Sequence, residues 1–268
     1  MTDNTFGVGD CEEDSLIDYD LAKYCTVEEA NYSLNMSSTN NLTILYINIK
    51  SLYFNDDDFN SLLTNFDKKP DIIAFSETKI TEKSHTNYHP FLDGYKYHGV
   101  KSKTHFGSVG FFIRNNFIPT IRHDLNCSEK GLFEMIWFDV FSGGNNSAKT
   151  TIGVVYRHCG RTDIPSFTRR LGNIVSKLNR EHANYFILGD YNADLLKIDE
   201  FYQISDFVNN MHSLNAVNLV NIPTRFPIGN QVGSPSILDH FWTNQPTRVI
   251  NIELIVNPIR TTDQRFLF

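Results

Sequence analysis

The chain has no hydrophobic run long enough to cross a membrane. None of the apolar stretches in its 268 residues approaches the ~20 residues that a transmembrane helix requires. The acidic N-terminal segment also lacks the basic and then apolar order of a secretion signal. We therefore expect neither membrane insertion nor secretion, and the sequence predicts an intracellular protein.

Cysteine is scarce as well. The four cysteines are scattered along the chain at Cys11, Cys25, Cys127 and Cys159. Their spacing is typical neither of a structural metal site nor of a disulfide framework. A reducing compartment is the simplest setting for such cysteine usage.

The chain also lacks the basic excess that is usual in proteins dependent on phosphate contacts with nucleic acid. Its formal net charge is −7 at pH 7. Residues 1–40 hold nine acidic residues and one lysine, so the remaining 22 acidic and 23 basic residues nearly cancel. A near-neutral body neither excludes nor indicates DNA binding. A local basic cluster, for which a solvated surface is the more common explanation, contains Arg157, Arg161, Arg169 and Arg170.

Composition divides the chain into two parts. Residues 1–40 are acidic, rich in Asn and Ser and without sustained periodicity, so we predict a mostly disordered tail. Within this tail, Thr26 and Glu29 have the spacing of a capping box that could begin a short helix. Residues 41–268 are predicted to form one globular domain, since apolar periodicity continues through them.

Hydrophobic periodicity predicts the elements of this domain. Residues 42–48 and 71–77 are apolar strands that flank a helical pattern at 56–66, which is a βαβ-like unit. Consecutive strands follow, and these are expected to pair antiparallel. The order predicts an α/β (α+β) fold in which two mixed β-sheets pack face to face with helices outside. The other predicted elements are helices at 165–182 and 201–211, strands at 95–100, 109–114, 117–122, 133–140, 150–156, 185–190, 236–242 and 249–256, and a hairpin connection at 142–146.

Polar side chains occur where several predicted strands end. The apolar run 185–188 leads through Gly189 to Asp190 and Asn192. Open α/β sheets place their sites at the carboxyl ends of strands, although these two residues alone could equally form an ordinary turn. Carboxylate and amide oxygens at one edge would suit a hard cation such as Mg²⁺. The other polar residues at or near predicted strand ends, or within a late strand, are Asn48, Glu77, Tyr156, Asp239 and Asp263.

Five short motifs resemble a known family when they are taken in order. They are NIKSL at 48–52, SETK at 76–79, GVVYR at 153–157, GDYN at 189–192 and SILDH at 236–240. This set resembles the endonuclease/exonuclease/phosphatase superfamily, and within it the endonuclease domain of non-LTR (LINE-type, jockey- or CR1-like) retrotransposons. The flanking segments at 24–29, 222–225 and 242–244 resemble the same branch. The resemblance implies a DNase I-like four-layer sandwich.

The resemblance also implies roles for individual residues. Glu77 would be the main Mg²⁺ ligand, with Mn²⁺ as a possible substitute, and Asn48 would lie beside it. Tyr156 would donate to the phosphate, Asp190 would orient or deprotonate the attacking water, and Asn192 would stabilise the transition state. Asp239 would orient a histidine near the C-terminus. The implied partners are DNA and a downstream reverse transcriptase that is absent here, and the implied location is the nucleus.

The sequence departs from the family near its C-terminus. Where the family has a Ser-Asp-His triplet, this chain has Asp263 followed by Gln264. Asp263 would then remain a candidate metal ligand, whereas Gln264 would stand in for the histidine and cannot become cationic. The chain also ends where the family continues into a final strand, so we expect that this closing strand is missing and that the domain is truncated.

Three functions remain open from the sequence. The first is a Mg²⁺-dependent endonuclease that nicks DNA. The second is a catalytically impaired remnant that at most binds DNA, because of Gln264 and the missing strand. The third is a phosphatase of the same superfamily that acts on small phosphoesters. Of the remaining conspicuous residues, His240 is interpreted as structural because adjacent residues on a strand face opposite ways, and Phe241 and Trp242 are interpreted as core.

Overall fold

The protein is a sandwich of two β-sheets with helices on both outer faces. The computed structural model describes residues 21–38, 41–81, 88–103, 107–141, 149–159, 164–227, 233–255 and 266–267. The helices are α1 (Val27–Met36), α2 (Asp56–Thr64), α3 (Ile164–Arg180) and α4 (Tyr202–Ser213). The strands are β1 (Ala22–Cys25), β2 (Ile44–Asn48), β3 (Ile72–Ser76), β4 (Tyr95–Val100), β5 (Val109–Arg114), β6 (Thr120–Ile121), β7 (Cys127–Glu129), β8 (Phe133–Phe141), β9 (Lys149–Arg157), β10 (Asn184–Asp190), β11 (Val217–Asn218), β12 (Asp239–Thr243), β13 (Ile252–Ile255) and β14 (Phe266–Leu267).

Each sheet mixes parallel and antiparallel pairs. The first sheet has the order β1-β13-β14-β2-β3-β5-β4, and the second has the order β11-β12-β10-β9-β8-β6 with β7 paired to β8. Strands β2 and β3 are parallel, as the βαβ-like pattern predicts, and so are β9 and β10. The consecutive strands β4 and β5, and β8 and β9, pair antiparallel as expected. The predicted connection at 142–146 lies outside the described residues.

Alternating side chains of the strands build three layers of core. Phe111 of the first sheet and Phe138 of the second stack with ring centroids 3.7 Å apart, in the core between the sheets. The opposite face of the first sheet packs against α1 and α2. The outer face of the second sheet packs against α3 and α4. This arrangement confirms the predicted four-layer sandwich.

The folded unit begins earlier than the boundary that composition predicts. Strand β1 pairs in parallel with β13, and Ala30 and Leu34 of α1 are buried against the first sheet. The capping box is confirmed, because the Thr26 side chain accepts from the Glu29 backbone N–H and the Glu29 side chain accepts from Thr26. A few correctly spaced apolar positions are therefore enough to bury this segment despite its acidic composition. Residues 1–20 lie outside the described residues.

The prediction that the closing strand is missing is wrong. Strand β14 lies between β13 and β2 and pairs antiparallel with both. Its two residues therefore connect β1 and β13 to the rest of the first sheet. Other differences are small: the predicted strand 117–122 shortens to β6, and 236–242 and 249–256 shorten to β12 and β13.

Among the described residues, no helix combines the length and the apolar character that a membrane-spanning segment needs.

Candidate active site

The strand ends that carry the predicted site residues lie at one edge of both sheets. Asn48 ends β2 and pairs in register with Ser76, so Glu77 directly follows the neighbouring strand. In the second sheet, Asp190 at the end of β10 is in register with Tyr156 of β9 and with Asp239 of β12. The two sheets therefore present these side chains to one another across the mouth of the sandwich.

Asn48 connects the two sheets through its side-chain amide. Its Nδ2 donates to Glu77 Oε1 at 3.1 Å and to Asp190 Oδ2 at 2.7 Å. Asn48 and Asp190 are each only 1% exposed, whereas Glu77 is half-buried. One amide therefore brings two carboxylates from different sheets within reach of a single group. Asn48 Oδ1 is buried without a hydrogen-bond partner among the described residues.

The loop after Asp190 is held by a buried arginine. The Asn192 backbone N–H donates to Asp190 Oδ1 at 2.9 Å, and Asn192 Nδ2 donates to the Arg157 carbonyl at 2.7 Å. The Arg157 guanidinium in turn donates to the carbonyls of Tyr191 and Asn192, both at 2.6 Å. Arg157 is 1% exposed, so its interpretation as a solvated surface residue is wrong. Its side chain satisfies the backbone of the loop that presents Asn192.

Two of the site residues have left-handed backbones. The φ angle is 51° at Glu77 and 46° at Asn192. Positive φ is uncommon for residues other than glycine and is found at sites where surrounding contacts hold the backbone. Nothing in the sequence pattern predicts this conformation for Glu77, whose carboxylate accepts a hydrogen bond from Asn48.

Asp239 is fully buried on β12, directly opposite Asp190 of β10. Tyr46 donates its hydroxyl to Asp239 Oδ1 at 3.2 Å and lies 2.6 Å from Ser76 Oγ. Asp239 Oδ2 is buried and has no hydrogen-bond partner among the described residues. Burial, and then the charge of Asp190, raise the pKa of the Asp239 carboxyl well above its usual range. The sequence did not indicate Tyr46, since it lies inside an apolar strand.

Tyr156 remains a proton donor in this environment. It is 5% exposed, and burial together with the nearby charges of Glu77 and Asp190 raises the pKa of its hydroxyl. A neutral phenol can donate a hydrogen bond to an incoming oxygen anion. Its position opposite Asp190 in the β9–β10 register therefore suits a donor at the site.

The structure supports the structural interpretation of the residues around His240. The His240 side chain is buried, and its Nε2 lies 2.9 Å from the Ala193 carbonyl while its ring stacks on Tyr191 at 4.4 Å. Burial lowers the pKa of His240 to about 3. Trp242 is fully buried and Phe241 stacks on Phe186, so both belong to packing.

Asp263 and Gln264 lie outside the described residues, so their predicted positions stay predictions. Within the described ranges, no group of three or more His, Cys, Asp or Glu side chains is arranged to hold a metal ion. The oxygens nearest to such a role belong to Glu77 and Asn48. This small oxygen set fits a cation such as Mg²⁺, which takes one or two carboxylates and keeps other positions for water or phosphate.

Burial of Asp239 gives a prediction for stability against pH. Because its folded-state pKa lies above its unfolded value of ~3.9, the contribution of Asp239 to native-state stability falls as the pH rises from about 4. Asp239→Asn cannot ionise, so we expect its free energy of unfolding at pH 8 to exceed that of the wild type by roughly 1 to 3 kcal/mol. Urea unfolding at pH 4.5, 6 and 8 should show the gap shrinking towards acid. The control is Asp199→Asn, because Asp199 is exposed. An Asp239→Asn variant that is less stable than the wild type at pH 8 would contradict the prediction.

Comparison with known proteins identifies the fold. No protein-family model and no curated protein matches the chain. Among solved structures, the chain is similar to the Xenopus laevis APE2 catalytic domain (TM-score 0.62, 14% identity, covering 84% of this chain and 90% of that chain). It is also similar to the endonuclease domain of TRAS1, a telomere-specific non-LTR retrotransposon (TM-score 0.60, 10% identity, 85% and 96% covered). A third similar structure is the 3′ phosphatase NExo from Neisseria bound to product DNA hairpin (TM-score 0.58, 14% identity, 85% and 98% covered). The chain therefore has the DNase I-like fold of the endonuclease/exonuclease/phosphatase proteins.

Proposed function

We propose that this protein hydrolyses phosphodiester bonds and nicks DNA as the endonuclease of a non-LTR retrotransposon. One observation carries most of the proposal: Asn48 joins the carboxylates of Glu77 and Asp190, which come from different sheets. A carboxylate that could hold a cation and a carboxylate that could act as a base are thus fixed beside one another. The nuclear location expected of such an enzyme is part of the same proposal.

Glu77 and Asn48 are the residues that would hold Mg²⁺ or Mn²⁺. Such a cation, when bound, polarises the phosphate and neutralises the charge that develops on it. The half-buried Glu77 carboxylate is anchored through Oε1 by the Asn48 amide, and this amide bond does not use Oε2. Asp263 is a further candidate ligand on sequence grounds alone.

The other residues have separate roles at the reacting atoms. Asp190 would accept the proton of the attacking water, and the hydrogen bonds that it accepts from Asn48 and Asn192 fix its orientation. Tyr156 would donate to a phosphate oxygen, because its raised pKa keeps the hydroxyl protonated. Asn192 uses one amide proton on the Arg157 carbonyl, and its second would support charge on the phosphate.

Exposed aromatic side chains beside the site favour a polynucleotide over a small phosphoester. Tyr53 is 61% exposed and Phe54 is 83% exposed, and their rings contact each other at 5.2 Å. The segment is held next to the residues after Glu77, because the Leu52 N–H donates to the Thr78 carbonyl at 3.0 Å. Aromatic faces of this kind can stack on bases without sequence preference. The similarity to the TRAS1 endonuclease supports the retrotransposon branch.

A catalytically impaired remnant is the second candidate, and Gln264 is the observation that favours it. A glutamine cannot supply the charged hydrogen bond that the resembling family draws from a histidine. Loss of one such contact slows related reactions by about a hundredfold or more. The protein would then bind DNA and turn it over slowly or not at all.

Plasmid nicking tests the proposal. Purified protein should convert supercoiled plasmid to nicked circles with Mg²⁺ but not with chelator, and Glu77→Gln should reduce the rate by about a hundredfold or more. A small aryl phosphodiester should be a poor substrate in parallel reactions. Nicking that survives chelation or Glu77→Gln would refute this function. If only Gln264→His nicks, the remnant is the correct description of the natural chain.

A further inference from the structure

A second buried polar cluster lies beside Tyr156 and has no role in the proposed hydrolysis. Ser102 Oγ donates to Glu134 Oε1 at 2.8 Å, and His158 Nε2 lies 3.0 Å from Glu134 Oε2. The exposed fractions of Ser102, Glu134 and His158 are 0%, 1% and 9%. Burying a carboxylate is costly unless it is bonded, and apolar residues of similar volume often serve stability as well. Stability alone therefore does not explain why this Ser102–Glu134–His158 cluster is polar.

The cluster spans the two sheets next to the site. Glu134 on β8 pairs in register with Tyr156 on β9, so the two side chains project from the same face of the second sheet. His158 follows β9, and its ring contacts the Tyr156 ring edge-on at 4.9 Å. Ser102 belongs to the first-sheet side of the molecule, just after β4. The hydrogen bond from Ser102 to Glu134 therefore links the first-sheet side of the molecule to the two strands, β8 and β9, that position Tyr156.

The same cluster supports the chain that leaves Glu77. Gly107, at φ +92°, packs directly against Glu134 and His158. A Cβ added there would be 2.7 Å from Glu134 Oε2 and 3.0 Å from His158 Nε2. The Gly107 carbonyl accepts from the Lys79 N–H at 2.9 Å. On the other side, the Ser102 N–H donates to the Ile80 carbonyl at 2.9 Å. The segment directly after Glu77 is therefore hydrogen-bonded to Gly107, which packs against the cluster, and to Ser102, which belongs to it.

We propose that Glu134 and His158 are positioning residues that set the distance of the Glu77 carboxylate from Tyr156 and Asp190. Asn48 links Glu77 to Asp190 of the second sheet through its side chain, and it constrains one oxygen of the Glu77 carboxylate. The cluster constrains the backbone that follows Glu77. This proposal rests on the proposed function, because the position of Glu77 matters for rate only if the site is catalytic.

Kinetics with paired variants test the positioning role. His158→Ala should lower kcat for nicking about 30- to 100-fold, as expected for a displacement near 1 Å, with KM changed less than about threefold. His158→Gln can still donate to Glu134 and should restore kcat to within about threefold. Gly107→Ala should resemble His158→Ala. Gly131→Ala is the matched control, because Gly131 has φ +76° and open space around a Cβ. A folded His158→Ala protein with wild-type kcat overturns the proposal.

Hydrogen exchange tests the same role without catalysis. In His158→Ala, the amides of Lys79 and Ser102 should exchange at least about tenfold faster, because opening of this segment becomes easier. The Trp137 amide, which donates to Asn126 Oδ1 at 2.8 Å, should be unchanged. Uniform acceleration at all three amides, or none, would refute the positioning role. Wild-type protein that hydrolyses nothing would refute the proposed function, while the exchange result would still decide whether the cluster holds the Glu77 segment.

Discussion

Asp190→Asn is expected to reduce kcat for DNA nicking by about 10²- to 10⁴-fold, the contribution typical of a positioned general base. The substitution keeps the shape of the side chain but removes the charge and the ability to take a proton. Asn192 N–H can still donate to the remaining carbonyl oxygen, which it now meets at 2.9 Å. The second oxygen becomes an amide nitrogen facing Asn48 Nδ2, so one 2.7 Å hydrogen bond is lost. Single-turnover nicking at saturating protein measures the effect on the chemical step.

The control for Asp190→Asn is another buried acid away from the site. Asp139 is 4% exposed on β8 and accepts from Thr151 Oγ1 at 2.7 Å. Asp139→Asn should leave kcat within about threefold of the wild type, although it weakens ion pairs with Arg122 and Lys149. Equal losses from both substitutions would show that general destabilisation, and not loss of a base, explains the Asp190 result. Circular dichroism of each variant separates the two cases.

Local sequence signals predicted the strand ends that carry the candidate site, because each apolar run stops at or near a polar residue. Asn48, Glu77, Tyr156 and Asp190 all follow from this rule, and parallel pairing then places them at one edge. The bonds across the site do not follow from it. The position of Asn48 between Glu77 and Asp190 depends on how the two sheets pack, which periodicity does not encode.

Long-range support was the part that the sequence could not give. Arg157 is one residue beyond Tyr156 and looks like a surface arginine until the loop of Tyr191 folds over it. Tyr46 has the pattern of an ordinary core residue in the sequence, but its hydroxyl donates a hydrogen bond to Asp239, which is distant in sequence. Strand β1 was missed for a similar reason, since its partner β13 lies near the other end of the chain. In each case the signal is a pairing between distant segments, and one sequence contains no record of that pairing.

Gly189→Ala is expected to destabilise the fold strongly, whereas Asp190→Asn is expected mainly to remove activity. An added Cβ at Gly189 would lie 1.9 Å from the Val155 carbonyl oxygen and 2.7 Å from its carbon. Both are backbone atoms of β9, which pairs with β10 in register at this position. Relief requires the two central strands to separate, so we expect a loss of roughly 3 kcal/mol or more, from overpacking together with broken ladder bonds. Urea unfolding, or loss of soluble protein on expression, measures the effect.

The control for Gly189→Ala is Gly94→Ala, because Gly94 has φ +81° but no atom within 4 Å of a Cβ. That variant carries the backbone strain without the collision and should cost only about 1 to 2 kcal/mol. Equal costs at the two positions would show that backbone strain and not the Val155 contact requires glycine. If the collision dominates, Gly189 is what lets β10 lie against β9 closely enough for Asp190 to be opposite Tyr156. Gly189 would then set the spacing between β9 and β10, and Asp190 would act as the proposed base.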